Sequence, residues 1–338
     1  MYCSCRSTSV LYGLLVAALL TACTGGTSTS EPVATPQSLT KITFNMAWLP
    51  QGSMVGVIAA IDQGFYAKRG LEVEAVRGFG GIRTTNEVDQ GMFDFGYGDP
   101  LSVILNRANG GQTRLVGVIN ERWPAGLCFL RERHQLKGPA DLKGLTVGGG
   151  QNSAVQVLLP VWLRRNDVDP ATVKVLQLNP SVIVASLIEG QIDAAECWRG
   201  NSYPLFEQQA RAAGVTLDWV EYGAHNLDIY GSGLITTDRA IRERPDVVKA
   251  FVAATFEGYR FARANPELAR EIMLKSYPML DAGVTAAQIS EILELQGGSA
   301  GLATDAKMAQ TLEFVAAAYP LPNPVAVQDI YSNTFVTP

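Results

Sequence analysis

The chain has 338 residues, 47% of them hydrophobic and 17% charged, with 27 basic against 32 acidic side chains. That mildly acidic balance carries no electrostatic footprint for nucleic acid. The length exceeds what one hydrophobic core usually supports, so two lobes are expected, and no apolar run beyond Cys23 reaches the length of a membrane span.

Arg6 and the free amino terminus supply positive charge ahead of an apolar run at 10–20, which is too short to span a bilayer comfortably and reads as a secretory signal. Leu20-Thr21-Ala22-Cys23 closes that run and resembles a bacterial lipobox, in which the thiol is acylated and becomes the new N-terminus. The plainer alternative is an ordinary signal peptide with a stray cysteine. The expectation is a signal at 1–22, lipid on Cys23, and a flexible Ser/Thr/Gly/Pro-rich tether at 23–40, which places the protein at the extracytoplasmic face of a bacterial membrane. Loss of Arg6 leaves 26 basic against 32 acidic side chains, a balance of −6.

Residues 41–48 alternate as a strand, and 55–68 carry apolar residues at helical spacing, stopped by Gly70. A strand follows at 71–76, then a short helix at 83–89, a strand at 93–97, a helix at 101–109 and a strand at 114–118. Such alternation predicts a mainly parallel sheet covered on both faces. The pattern restarts with a strand at 145–147, and Gly148-Gly149-Gly150 reads as a turn into a helix near 153–166. Strands at 173–178 and 192–198 alternate with helices at 181–189 and 204–213. An apolar strand at 230–236 carries the chain back, and helices at 245–265, 266–275, 286–295 and 306–318 complete it. The expected fold is α/β, with lobe one from 41–125 and 235–338, and lobe two from 126–234.

Cysteines 3 and 5 leave with the signal, so Cys128 and Cys197 remain. Each sits in an apolar, strand-like run, which favours two separate buried thiols over a disulfide. His134 and His225 lack metal-ligand neighbours, so no metal site is expected. Neither Gly-x-Gly-x-x-Gly, nor a phosphate-binding loop motif, nor a Gly-x-Ser-x-Gly elbow occurs in the right context, and a histidine base is thinly supplied.

Six blocks in order carry a family resemblance. They are Ala47-Trp48-Leu49-Pro50, the run from Gly64 to Val73, Asp94-Phe95-Gly96-Tyr97-Gly98, the run from Gly138 to Gly144, Glu189-Gly190-Gln191-Ile192-Asp193-Ala194, and Tyr230-Gly231 with the run from Pro245 to Phe251. Together they resemble substrate-binding proteins of ABC importers, in the branch that takes up thiamine pyrimidine precursors, alkanesulfonates, taurine and nitrate. The resemblance implies a type II periplasmic-binding-protein fold, two α/β lobes joined by two crossing segments, with the ligand closed in the cleft. It also implies an ABC permease as partner, a monomer, no cofactor and no enzymatic activity.

In open α/β sheets ligands gather at the carboxyl ends of strands. Lobe one then supplies Trp48, Gln51, Gly81, Arg83, Tyr97 and Asp99. Lobe two supplies Asn152, Ser153, Asn179, Glu196, Trp198 and Arg199, and the crossing segments add Trp123, Asp228 and Tyr230. Aromatic faces suit a planar ring, and carboxylates accept from ring amines while repelling an anion. Arg83 and Arg199 pull toward an anionic ligand instead. The favoured ligand is a planar nitrogen heterocycle such as a thiamine-precursor pyrimidine; a sulfonate, taurine or nitrate is the alternative. An enzyme on the same scaffold would resemble a eukaryotic relative that makes the pyrimidine with a cysteine-rich motif, which the mature chain lacks. A ligand sensor signalling to a membrane partner is the third class.

Overall fold

The structure, a computed structural model, describes residues 38–150, 154–298 and 300–337. The signal, Cys23, most of the tether, Asn152 and Ser153 lie outside the described residues.

The first sheet begins with β1 (Thr40–Asn45), α1 (Val55–Asp62), β2 (Leu71–Val76), α2 (Gly81–Asp89), β3 (Phe95–Gly98), α3 (Pro100–Ala108) and β4 (Thr113–Val118). The chain then crosses to a second sheet through β5 (Ala125–Leu130), β6 (Thr146–Gly150), α4 (Ala154–Arg165), β7 (Lys174–Leu178), α5 (Ile183–Glu189), β8 (Ala194–Trp198), α6 (Ser202–Ala212) and β9 (Leu217–Glu221). It returns through β10 (Gly233–Thr237), and the helices α7 (Asp238–Glu243), α8 (Pro245–Ala264), α9 (Pro266–Ser276), α10 (Ala282–Leu295), α11 (Asp305–Ala318) and α12 (Val327–Ile330) follow.

The strand orders are β2-β1-β3-β10-β4 and β7-β6-β8-β5-β9. In each sheet one strand runs against the others: β10 pairs antiparallel with β3 and β4, and β5 with β8 and β9. These are the two strands on which the chain crosses between lobes, so a mostly parallel expectation holds for the βα units and fails at the crossings.

Local chemistry explains the boundaries. Asp99 caps α3, accepting from Ser102 N at 2.8 Å, with Pro100 at the first helical position. Thr237, Asp281 and Thr304 cap α7, α10 and α11 in the same way. The lobe-one core stacks Phe95 on Phe251 at 3.9 Å between centroids and 8° between planes, with Tyr66 5.3 Å from Phe251. Helix α8 approaches α1 backbone to backbone, because a Cβ on Gly258 would fall 1.9 Å from Gly56 O. A second core, holding Trp162, Leu158 and Phe314, joins α4 and α11, and α11 also packs on α3.

Three expectations need correction. Gly148-Gly149-Gly150 is not a turn but the end of β6, flanked by β7 and β8. Packing requires it: a Cβ on Gly148 would meet Ile192 Cδ1 at 2.4 Å. Cys128 and Cys197 are not separate thiols; they form a disulfide with Cα atoms 5.9 Å apart. The register places Cys128 opposite Ala195 and Gly126 opposite Cys197, so the two side chains are diagonal neighbours on one face. Strand β9, absent from the expected elements, pairs along the other edge of β5.

Candidate functional site

The residues following β1, β3, β7 and β8, with Gly150 at the end of β6, converge on one cleft of about 1380 Å³ between the sheets. Of the residues expected there, Trp48, Gln51, Gly81, Arg83, Tyr97 and Asp99 line it from lobe one. Trp123, Glu196 and Trp198 line it from the crossing segment and lobe two.

Four others are directed elsewhere. Arg199 pairs with Glu291 and Glu294 of α10 and is not among the lining residues. Asp228 pairs with Lys307, and the Tyr230 hydroxyl accepts from Thr304 N at 3.0 Å, which fastens the second crossing to the start of α11. Asn179 spends its side chain capping the turn at 180–182, where it accepts from Ser181 N at 3.0 Å.

The floor is aromatic and polar. The Trp123 and Trp198 rings lie 5.3 Å apart at 57°, and Trp198 Nε1 donates to Glu196 Oε1 at 2.9 Å. Trp123 is 2% exposed and its Nε1 has no hydrogen-bond partner among the described residues. A buried donor left unpaired costs roughly 1–3 kcal/mol, so the arrangement favours a ligand acceptor there. Tyr97 is bonded to Ser232 and Asn120, and burial pushes its hydroxyl above the ordinary range. Protein crowding around Asp99 likewise pushes its carboxyl up, against the pull of the Ser102 hydrogen bonds.

The charge of the lining is lopsided. Glu87, Asp99, Glu196 and Asp281 face it among the described residues, against Arg83 alone. Arg83 is already paired with Glu87 at 2.7 Å.

Sequence reasoning missed Gln288. Its Oε1 accepts from Gly52 N at 2.9 Å and its Nε2 donates to Asn201 O at 2.8 Å, tying the loop after β1 to the loop after β8. The signal was present: Thr285 and Gln288 are polar residues one turn apart on the apolar face that carries Ile289 and Ile292. Phe79 and Met279 were missed as well, because exposed apolar residues in loops carry no periodic signature.

Two mixed α/β sheets around a deep cleft at their strand ends define a two-lobe binding-protein fold. The periplasmic aliphatic sulphonate binding protein SsuA of Escherichia coli superposes with a TM-score of 0.69 over 87% of this chain and 92% of its own, at 19% identity. The chain belongs to the NMT1/THI5-like family, whose profile matches residues 51–269. The riboflavin-binding protein RibY of Chloroflexus aurantiacus is 27% identical over 96% of each chain. The formylaminopyrimidine-binding protein of Halalkalibacterium halodurans is 24% identical over 80% of this chain and 79% of that one.

Proposed function

We propose that this protein is a non-enzymatic, extracytoplasmic solute-binding lipoprotein, anchored through Cys23, that captures a planar nitrogen heterocycle and delivers it to an ABC permease. The carrying observation is the charge of the cleft: among the described residues four carboxylates line it against one arginine, which is paired with one of the four, Glu87. A sulfonate or nitrate would meet no unpaired lining cation among the described residues. A ring bearing amines finds acceptors in Asp99 and Glu196, a donor in Trp123 Nε1, and faces to stack on in Trp123 and Trp198. The riboflavin- and formylaminopyrimidine-binding relatives support a heterocycle.

The same lining supports capture over catalysis. His134 is bonded to Asp193 and His225 packs on Trp162, neither of them lining the cleft, and both remaining cysteines are in the disulfide. No nucleophile with an adjacent histidine base faces the cleft among the described residues. The disulfide accords with an oxidising compartment outside the cytoplasm.

Calorimetric titration with an aminopyrimidine, riboflavin, taurine and a simple alkanesulfonate tests the reading. The expected result is binding of a heterocycle, weakened by roughly 1–3 kcal/mol in Trp198→Ala through lost stacking. Because a ring amine is held by the ionised form of Asp99, affinity should fall as pH drops through that raised pKa. Tight binding of a sulfonate with no response to any heterocycle overturns the proposal.

A further inference from the structure

The mouth of the cleft differs from its floor. Seven of the twelve large apolar side chains that stand exposed among the described residues line this one cleft. Isolated exposed apolar residues need no explanation, but a gathered set marks a surface built to be covered.

The lobe-one lip is made by two loops bonded to each other. Gly78 N donates to Trp48 O at 3.1 Å, and Gly80 N donates to Ala47 O. A Cβ on Gly78 would fall 2.5 Å from Ala47 Cα, so only glycine permits this approach. Ala47 holds a left-handed φ of 61°, a conformation that costs an alanine roughly 1–2 kcal/mol. The result presents Trp48, Leu49, Phe79 and Ile82 together, each between 40% and 53% exposed. Phe79 is held by the guanidinium carbons of Arg77 and Arg83, 4.4 and 4.7 Å from its ring centre. Leu205 on α6 stands on the lobe-two side, and Met92 and Met279 add flexible thioethers around the opening. Among the described residues Arg83 is the one arginine in the lining and is paired with Glu87, while Arg77 lies against the Phe79 ring outside the lining.

Resting on the heterocycle reading above, we infer that the cleft has two subsites, a polar aromatic floor and an apolar vestibule, and that the ligand is a planar heterocycle bearing an uncharged apolar group at least the size of a benzene ring. The floor sets orientation through hydrogen bonds. The vestibule supplies affinity by removing apolar surface of both partners from water. The volume agrees: about 1380 Å³ is above the roughly 300–1,000 Å³ of usual small-ligand pockets, and far more than a bare pyrimidine fills.

Two probes decide, 4-amino-2-methylpyrimidine and its 5-benzyl derivative, titrated by calorimetry into the purified chain. The benzyl compound should bind on the order of 30-fold tighter through the buried ring. Phe79→Ala and Leu205→Ala should each weaken the benzyl compound by about 5-fold and leave the bare pyrimidine within about 2-fold. Both side chains are exposed, so unchanged melting temperatures confirm intact folding. Equal affinity for the two probes, or lip variants that alter neither, overturns the vestibule while leaving the heterocycle reading standing. Binding of neither probe overturns the two-subsite assignment, and the heterocycle reading falls with it only if riboflavin also fails to bind.

Discussion

The two lobes repeat one strand order, second-first-third-crossing-fourth, yet they are held together by different means. Lobe one rests on a stack of rings, Phe95 on Phe251 with Tyr66 beside them, and on the 20-residue α8 pressed against α1 through Gly56 and Gly258. Lobe two has three glycines in β6, between β7 and β8, and carries in addition a covalent bond between β5 and β8. Lobe two has ring contacts too, with Trp162 4.6 Å from Tyr222 and Tyr203 5.3 Å from Trp219, so the cross-link is an addition to aromatic packing on the same topology. The cross-link also has a local effect. Cys197 sits between Glu196 and Trp198, so the strand presenting two floor residues is pinned to its neighbour.

The comparison breaks most visibly at Phe251. Phe251→Ala should cost about 4 kcal/mol by opening a cavity in the ring stack. Calorimetric unfolding should show the loss, and hydrogen exchange should place it in β1 and β3 with β6 and β8 spared. Equal loosening of both sheets would show that the lobes do not have separate fastenings. Next in size is the cross-link. Replacing Cys128 and Cys197 together with Ala should cost about 3 kcal/mol, since the bond closes a long loop of the unfolded chain. The amides of β5 and β8 should exchange faster while those of lobe one do not change.

The smallest effect concerns the join between lobes. Arg199 at the end of β8 pairs with Glu291 and Glu294 on α10, and Arg122 lies 3.6 Å from Glu294. Arg199→Ala should cost only about 1 kcal/mol, because Glu294 remains largely in water. Its pH signature is more specific. The hydrogen bond from Arg199 holds the Glu294 carboxyl below its ordinary 4.5. A carboxyl so depressed contributes fully above its unfolded value and loses that contribution as pH falls through the folded one. Wild-type stability should therefore drop below pH 4.5 more steeply than that of Arg199→Ala in denaturant titrations; parallel acid limbs would remove the join.

The βα units were legible because their signals are local. Strand β2 matches its expected bounds of 71–76, and the helices after Pro245 and Pro266 begin where proline is tolerated. What stayed hidden depended on distant partners. Three successive glycines signal a turn, and only the side chain of Ile192 shows why they are strand. Arg199 does follow a strand that ends at the cleft, but its guanidinium turns to two acids more than ninety positions away. Tyr230 was placed near the ligand by its crossing segment, whereas its hydroxyl meets Thr304. In the site, Trp198 and Trp48 could be read from strand ends, while Phe79 and Met279 could not, since they stand in loops without periodic pattern.

The position of β10 has a consequence for how the molecule is made. It lies between β3 and β4, not at an edge, so the first sheet stays divided until the chain has emerged as far as residue 237 into the compartment where it folds. The second sheet needs only β5 to β9, residues 125–221, and is complete earlier. The lobe begun first is thus finished last. A pause between 221 and 233 would leave a folded second lobe joined to a half-sheet with unpaired edges on β3 and β4, the kind of species that recruits chaperones or aggregates.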